Sequence, residues 1–416
     1  MKPTAPAAVP AFAASAVPAP AAVLAHAPGR RRFVRTTAGG IVVAALPLAG
    51  CAPFAAVPDS AVAAWRPDER RDDPRRWALS WAILAPNPHN RQPWLVDLSE
   101  PGEILVRIDT TRLLPETDPF GRQILIGAGA MLGLLEIAAA SLSLRTDVRL
   151  LEDGPYGERL DGRPLARIRL VADATAGRGD AATLFAQIPA RRTVRLPYER
   201  ARPVAAGDAR AFEAAGGDGI TAGVLDRTRD AGRVDAIAAI AKAAWKIELT
   251  TPRLVMESVN LLRVGSAEID RYRDGITLAS PMLVVLDRIG LLDRSTAPAP
   301  DAAITRRQLA DFDTAIDSTP AFYWLATTGN TRREQIAAGV AYAKAQLRAT
   351  ALGLVMQPVS QSLQEYPEMD ALRRDVHRVL ATGGTTQMLC RIGYLPDGVA
   401  MPGPSPRRGL AAHLAA

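Results

Sequence analysis

The chain has 416 residues, 48% of them hydrophobic and 22% charged, with a formal net charge of +7. That is long enough for two domains, or one large fused one, and apolar enough to bury a sizeable core. The positive balance does not point to nucleic acid, because lysine is confined to Lys2, Lys242, Lys246 and Lys344 and the arginines are scattered among carboxylates, with no aromatic-interleaved basic patch. The two cysteines, Cys51 and Cys390, exclude a disulfide framework. Cys390, inside Met388-Leu389-Cys390-Arg391-Ile392, reads as a small buried hydrophobe and not as a nucleophile.

Residues 1–28 are an Ala/Pro/Val tract with almost no charge, a composition that cannot offset its own ordering entropy and is expected to be disordered. Arg30-Arg31-Arg32-Phe33-Val34-Arg35 precedes the uncharged run Ala38 to Gly50, which is too short to span a bilayer permanently. Basic residues before a short apolar segment indicate an export signal. The pair Arg30-Arg31 resembles a twin-arginine signal, with Gly29 in place of the usual Ser or Thr, and Leu48-Ala49-Gly50-Cys51 resembles a bacterial lipobox. The resemblance implies the twin-arginine export machinery as a partner, a lipid anchor at Cys51, and a periplasmic or cell-envelope location. Residues 52–72 are expected to form a tether.

A first folded half is expected over 73–185. Trp77, Trp81 and Leu84 recur at helical spacing until Pro86 ends the helix. A polar loop follows, Ala85-Pro86-Asn87-Pro88-His89-Asn90-Arg91-Gln92-Pro93-Trp94, between that helix and a strand from Trp94 to Leu98. Polar loops on a regular scaffold are where sites lie, although a capping Asn and a core Trp would explain the same residues. Ile104, Val106 and Ile108 alternate as a half-buried strand, so Pro101-Gly102 turns a hairpin. Asp118 is placed to cap an apolar helix from Ile124 to Leu144. Within it, Gly127, Gly129 and Gly133 follow Ile124-Leu125-Ile126, which leaves a dinucleotide-binding Rossmann reading in competition with a helix whose small residues form a close packing face. Strands are predicted over 146–151 and 166–171.

The second half, 186–416, opens with the cluster Arg191-Arg192-Thr193-Val194-Arg195. Ile237, Ile240, Ala241, Ala244 and Trp245 mark one helix stripe, and about 259–308 reads as an insertion or lid. A strand over 321–328, a helix over 332–352 stopped by Gly353, and a buried strand over 387–394 follow. Pro358 and Ser360 lie in the loop after that helix, and Ser405-Pro406-Arg407-Arg408 nears the end.

Asn90-Arg91-Gln92-Pro93-Trp94 resembles the Asn-x-Gln-Pro-Trp segment of the nitroreductase superfamily, and Arg191-Arg192-Thr193-Val194-Arg195 is similar to the Arg-x-Ser/Thr-x-Arg/Lys segment that opens those domains. The loop occurs only in the first half and the arginine sets mainly in the second. The resemblance therefore implies an α+β, nitroreductase-like fold of two fused halves forming a pseudo-dimer, with helices packed around antiparallel sheets and a single FMN site, similar to the Acg-type oxidoreductases. It implies that Arg191, Arg195, Arg407 and Arg408 hold the phosphate, Arg192 and Thr193 the ribityl side, Asn90 and Gln92 the ring edge, and Pro358 and Ser360 the N5 side. His89 is either a donor to ring or substrate or a structural hydrogen-bonder. The implied activity is ping-pong two-electron transfer from a small-molecule donor to a nitroaromatic, quinone or similar acceptor; an FMN-sequestering lipoprotein with little turnover is the alternative. No catalytic triad, metal or nucleic acid is implied.

Overall fold

The computed structural model describes residues 53–67, 72–213 and 219–415; the N-terminal tract, the arginine signal and Cys51 lie outside the described residues. A four-residue helix α1 (Asp59–Val62) precedes α2 (Pro74–Ala82), which starts where the Asp73 carboxylate accepts from the Arg75 and Arg76 amides and Pro74 takes the first helical position. Strands β1 (Trp94–Asp97) and β2 (Glu103–Ile108) form the predicted hairpin, with Trp94 opposite Ile108. Helix α3 (Arg122–Ala140) is capped by Asp118, whose carboxylate accepts from the amides of Gln123 and Ile124 at 3.1 and 2.9 Å. Strands β3 (Leu144–Leu150) and β4 (Pro164–Ala172) complete an antiparallel sheet of order β1-β2-β4-β3. Ile104, Val106 and Ile108 are buried, as their alternation requires.

Helices α4 (Ala181–Gln187) and α5 (Ala206–Glu213) lead to β5 (Ile220–Asp226). There follow α6 (Arg227–Thr250), α7 (Pro252–Asn260), β6 (Leu262–Val264), α8 (Gly265–Tyr272), β7 (Ile276–Leu278), α9 (Pro281–Arg288) and α10 (Ala303–Asp317). Then come β8 (Ala321–Thr327), α11 (Arg332–Ala351), β9 (Val355–Pro358), α12 (Asp370–Leu380) and β10 (Thr385–Gly393). The second sheet has the order β5-β8-β10-β9. This repeats the topology of the first sheet, strand for strand, with α11 in the place of α3. The two halves are therefore built alike. They differ in that a short turn joins β1 to β2, whereas residues 227–320 separate β5 from β8. The expected insertion at about 259–308 is thus larger and regularly folded, because helices α6 and α10 bury Ile237, Ile240 and Ile316 against Phe322 of β8.

The halves meet where α3 crosses α11. A Cβ placed on Gly129 would lie 2.0 Å from the carbonyl oxygen of Ile336, and one on Gly339 would lie 2.0 Å from that of Ile126. Each glycine stands three residues after the isoleucine whose carbonyl its counterpart touches, so the contact is reciprocal, as at a two-fold interface. Gly127 admits the polar loop instead, since a Cβ there would meet Asn87 at 3.0 Å and Pro88 at 3.2 Å. These glycines lie inside a buried helix with no strand leading into them, so the Rossmann reading of Gly127, Gly129 and Gly133 is overturned. Among the described residues α3 is the one helix long and apolar enough to cross a membrane, but it is enclosed by protein as a core helix.

Two further expectations change. The predicted tether is folded over residues 53–67: Trp65 is buried and donates to the Ser405 carbonyl at 2.8 Å, while the Arg407 amide donates to the Ala61 carbonyl at 2.9 Å. Its apolar side chains find partners in the second half, which the tether's composition did not reveal. The end of the chain also crosses over to the first half. Leu414 bridges Val96 in parallel, the Ala415 amide donates to the Val96 carbonyl at 2.7 Å, and His413 lies against Trp94. The open edge of β1 is covered in this way.

The helix crossing predicts that Gly339→Ala destabilises the protein by about 3 kcal/mol or more, through overpacking against backbone that cannot yield. Gly409→Ala, where a Cβ meets nothing within 4 Å, should leave the urea midpoint close to wild type.

Candidate functional site

Pro86, Pro88 and Pro93 restrict the loop between α2 and β1, yet His89, Asn90 and Gln92 all adopt positive φ, at 48°, 52° and 50°. Left-handed backbone at three non-glycine residues so close together stores strain, which persists only if surrounding contacts over-determine it. They do. The Gln92 amide donates to Asn87 Oδ1 at 2.7 Å, Asn90 Nδ2 to the Pro406 carbonyl at 3.0 Å, and Gln92 Nε2 to the Arg273 carbonyl at 2.8 Å. Arg407 donates to Asn90 Oδ1 at 2.6 Å, and the Arg408 backbone amide donates to Gln92 Oε1 at 2.9 Å.

The arginines are occupied in the same task. Arg191 is buried and donates to the Leu84 carbonyl at 3.0 Å and to Gln346 Oε1 at 3.2 Å. Arg407, also buried, donates to the carbonyls of Leu84 and Ala85 at 3.4 and 3.2 Å. The Arg408 guanidinium donates to the Gln92 carbonyl at 2.7 Å, and that of Arg192 to the carbonyls of Pro402 and Pro189 at 3.2 and 2.8 Å. Trp65 lies among three of these groups, its ring centroid 5.4, 5.0 and 5.3 Å from the guanidinium carbons of Arg191, Arg192 and Arg407. Its π-face partly compensates cations that have no carboxylate partner. Burial pushes the Arg191 and Arg408 pKa values down to about 10, and burial, then the neighbouring Arg191 and Arg192 charges, hold that of Arg407 well below its ordinary value.

The side chains of Asn90, Gln92, Arg191, Arg407 and Arg408 thus hold the loop and the end of α2 to the second half, while Arg192 bonds within the second half. Arg191, Arg407 and Arg408 each keep an unpaired buried Nε. The groups left accessible are others. Arg195 forms no hydrogen bond or ion pair among the described residues, and its side chain is exposed although the protein around it lowers its pKa by desolvation. Its charge reaches His89, which accepts or donates through Nε2 at 3.0 Å to Ser258 Oγ of α7 and leaves Nδ1 buried and unpaired. Burial first, then Arg195 and Arg91, push the His89 pKa down to about 4, so the ring is neutral near pH 7. Thr193 bridges Met356 of β9, and the Val194 amide donates to the Met356 carbonyl at 3.1 Å. This contact brings Thr193 and Arg195 beside the strand that ends at Pro358, after which Ser360 starts a short 3-10 turn.

Trp65 and Ser258 were invisible to sequence reasoning. Ser258 carries no motif; Trp65, a large aromatic in an otherwise Ala-rich supposed tether, was the available signal. Among the described residues no group of His, Cys, Asp and Glu side chains is placed to hold a metal. Arg195 is thus left without a protein partner among the described residues, and its charge is felt at His89 of the first half.

No protein-family model matches the chain. The Mycobacterium tuberculosis (strain ATCC 25618 / H37Rv) protein "Putative NAD(P)H nitroreductase Rv3131" is 30% identical over 339 residues, covering 81% of this chain and 89% of its own. "Putative NAD(P)H nitroreductase acg" of the same strain is 31% identical over 121 residues, 29% of this chain and 34% of its own. The crystal structure of the FMN-dependent nitroreductase NfnB from Mycobacterium smegmatis in complex with NADPH is similar at a TM-score of 0.34 and 17% identity, covering 56% of this chain and 97% of that one.

The neutral His89 sets an acid limit. Its pKa is about 4 in the folded chain, against 6.5 as the ordinary value, so the unfolded state binds the extra proton first. The His89 contribution to stability should be full above pH 6.5 and be lost as pH drops towards 4. In urea denaturation at pH 7 and pH 5, His89→Asn, which tolerates positive φ, should show a smaller difference between the two midpoints than the wild type.

Proposed function

The chain belongs to the nitroreductase family, and from that premise we propose that it is an FMN-dependent oxidoreductase that passes electron pairs from a small-molecule donor to a nitroaromatic, quinone or similar acceptor. The donor class is the nicotinamide that its relatives' names carry. The observation that carries the reading is Arg195: an accessible guanidinium without a carboxylate, whose charge reaches a neutral His89 of the other half with an unpaired Nδ1.

The residues present suit an anionic flavin. Arg195 supplies an unspent fork for a phosphate dianion, Thr193 a hydroxyl beside it, and the buried arginines behind them a positive potential that no carboxylate among the described residues neutralises by direct pairing. His89 Nδ1 faces the site without a protein partner. Bound FMN would supply the two-electron chemistry. The protein's own part is positional. The strained loop, pinned by Asn90 and Gln92, holds His89 with its ring neutral, so that it can share a proton without adding charge. Arg191, Arg407 and Arg408 act one step back, keeping that loop on the second half.

We also infer export by the twin-arginine route and acylation at Cys51, which the Arg30-Arg31 pair and the Leu48-Ala49-Gly50-Cys51 segment support. The resulting location would be the cell envelope.

The full chain should purify with a yellow chromophore that NADPH bleaches anaerobically and a nitroaromatic restores. Bound flavin that no donor bleaches would favour a sequestering role instead. Arg195→Ala should weaken FMN binding about 10- to 100-fold, in keeping with loss of one charge-assisted contact of roughly 1.5–3 kcal/mol, with little change in melting temperature. Arg191→Ala should do the reverse, lowering the melting temperature because two buried acceptors lose their donor. Unchanged FMN affinity in Arg195→Ala would remove the phosphate assignment.

A further inference from the structure

The insertion between β5 and β8 carries an apolar face that the redox site does not use. Met282, Val285 and Ile289 follow one another at helical spacing along α9 and just beyond it, 60%, 39% and 60% exposed, and Leu291, two residues on, is also 60% exposed. Thirteen large apolar side chains are exposed among the described residues, and four of them fall in this ten-residue stretch. Scattered exposed apolar residues need no explanation, but a contiguous group on one face marks an interaction surface.

The start of the described chain lies against the same element. Ala55 shares a buried cluster with Val284 of α9 and Val264 of β6, and Phe54 packs on it. The Arg288 guanidinium stands 4.8 Å from the Phe54 ring centroid. The segment is fixed there, since Ser266 donates to the Ala56 carbonyl at 2.7 Å and Ser60 to Asp270 at 2.6 Å. Only Ala52 separates Cys51 from Pro53. Two peptide units reach at most about 7 Å, so whatever is attached to Cys51 is held close to α9.

We propose that the outer face of α9 and residues 289–291 rests on the surface of a lipid bilayer, with Arg288 at the level of the headgroups. The proposal rests on the acylation of Cys51 and adds what that modification alone does not specify: one orientation of the folded body. A lipidated residue alone fixes no orientation of the folded body behind it, and an apolar contact beside it adds a second point of attachment. The arginine flanked by exposed aliphatic side chains matches an interfacial helix, in which basic heads remain among anionic headgroups while apolar side chains enter the acyl boundary.

The test uses the full chain recovered from membranes and reconstituted into vesicles of phosphatidylethanolamine and phosphatidylglycerol. Mass spectrometry of the mature protein, compared with Cys51→Ser, decides whether the acyl group is present. An environment-sensitive fluorophore on Ile289→Cys reports the face; Cys390 is buried and does not compete for the label. The expected result is a blue-shifted emission in vesicles that spin-labelled lipids quench, with Ile289→Asp/Leu291→Asp releasing on the order of tenfold more protein in flotation. If the acyl group is present but the label ignores the lipids, the orientation is overturned and the anchor stands. If Cys51 carries no acyl group, both fall. A shift that occurs without vesicles and tracks self-association would assign the face to a second copy of the chain and overturn the bilayer as its occupant.

Discussion

The structure depends on one close approach, the crossing of α3 and α11 at Gly129 and Gly339. Only glycine allows each backbone to enter the other's groove, and each helix there meets the carbonyl of the equivalent isoleucine on its partner. The two sheets of like strand order are joined through that crossing. A homodimer would form such a contact between two copies of one sequence. Here the two sides have been free to diverge, and they have: one kept a short turn between its first two strands and the other grew a folded insertion at the same place.

The guanidinium groups at this junction come from the second half. Arg191, Arg192, Arg407 and Arg408 are buried or half-buried without carboxylate partners, a costly arrangement unless carbonyl dipoles, a π-face or a bound anion compensates. The chain uses the first two of these compensations fully. Carbonyls at the end of α2, in the loop and near the C-terminus take the guanidinium forks, and Trp65 provides the face. The result is a rigid, positively charged wall. Arg195, close by in sequence, is the guanidinium that no protein group among the described residues has claimed, in contrast to these neighbours. The strain in His89, Asn90 and Gln92 belongs to the same arrangement, because only a loop tied at so many points would keep three left-handed residues.

Local pattern and tertiary context contributed differently. Several regular elements were legible: alternation placed Ile104, Val106 and Ile108 in a strand, helical spacing placed α11, and Asp118 capped α3, whereas β5, β9 and α12 were not read. The loop around Asn90 and the cluster around Arg191 were legible as well, and they do meet. Their tasks were not, since whether an amide or a guanidinium serves a ligand or a backbone carbonyl depends on which carbonyls lie within 3 Å. Asn90, Gln92 and Arg407 were read as ligand contacts and are pins; Arg195 remained available.

The residue types and their order determined, then, the elements that alternation and helical spacing mark out and, through the family resemblance of their motifs, the α+β class. Tertiary structure alone decided that residues 53–67 fold against the second half, that the insertion runs from 227 to 320, and that Gly127, Gly129 and Gly133 serve a loop contact and helix crossings instead of a dinucleotide. Each of those outcomes turns on a contact between residues far apart in the chain, such as Trp65 with Ser405 or Gly129 with Ile336. No local pattern encodes the partner in such a contact.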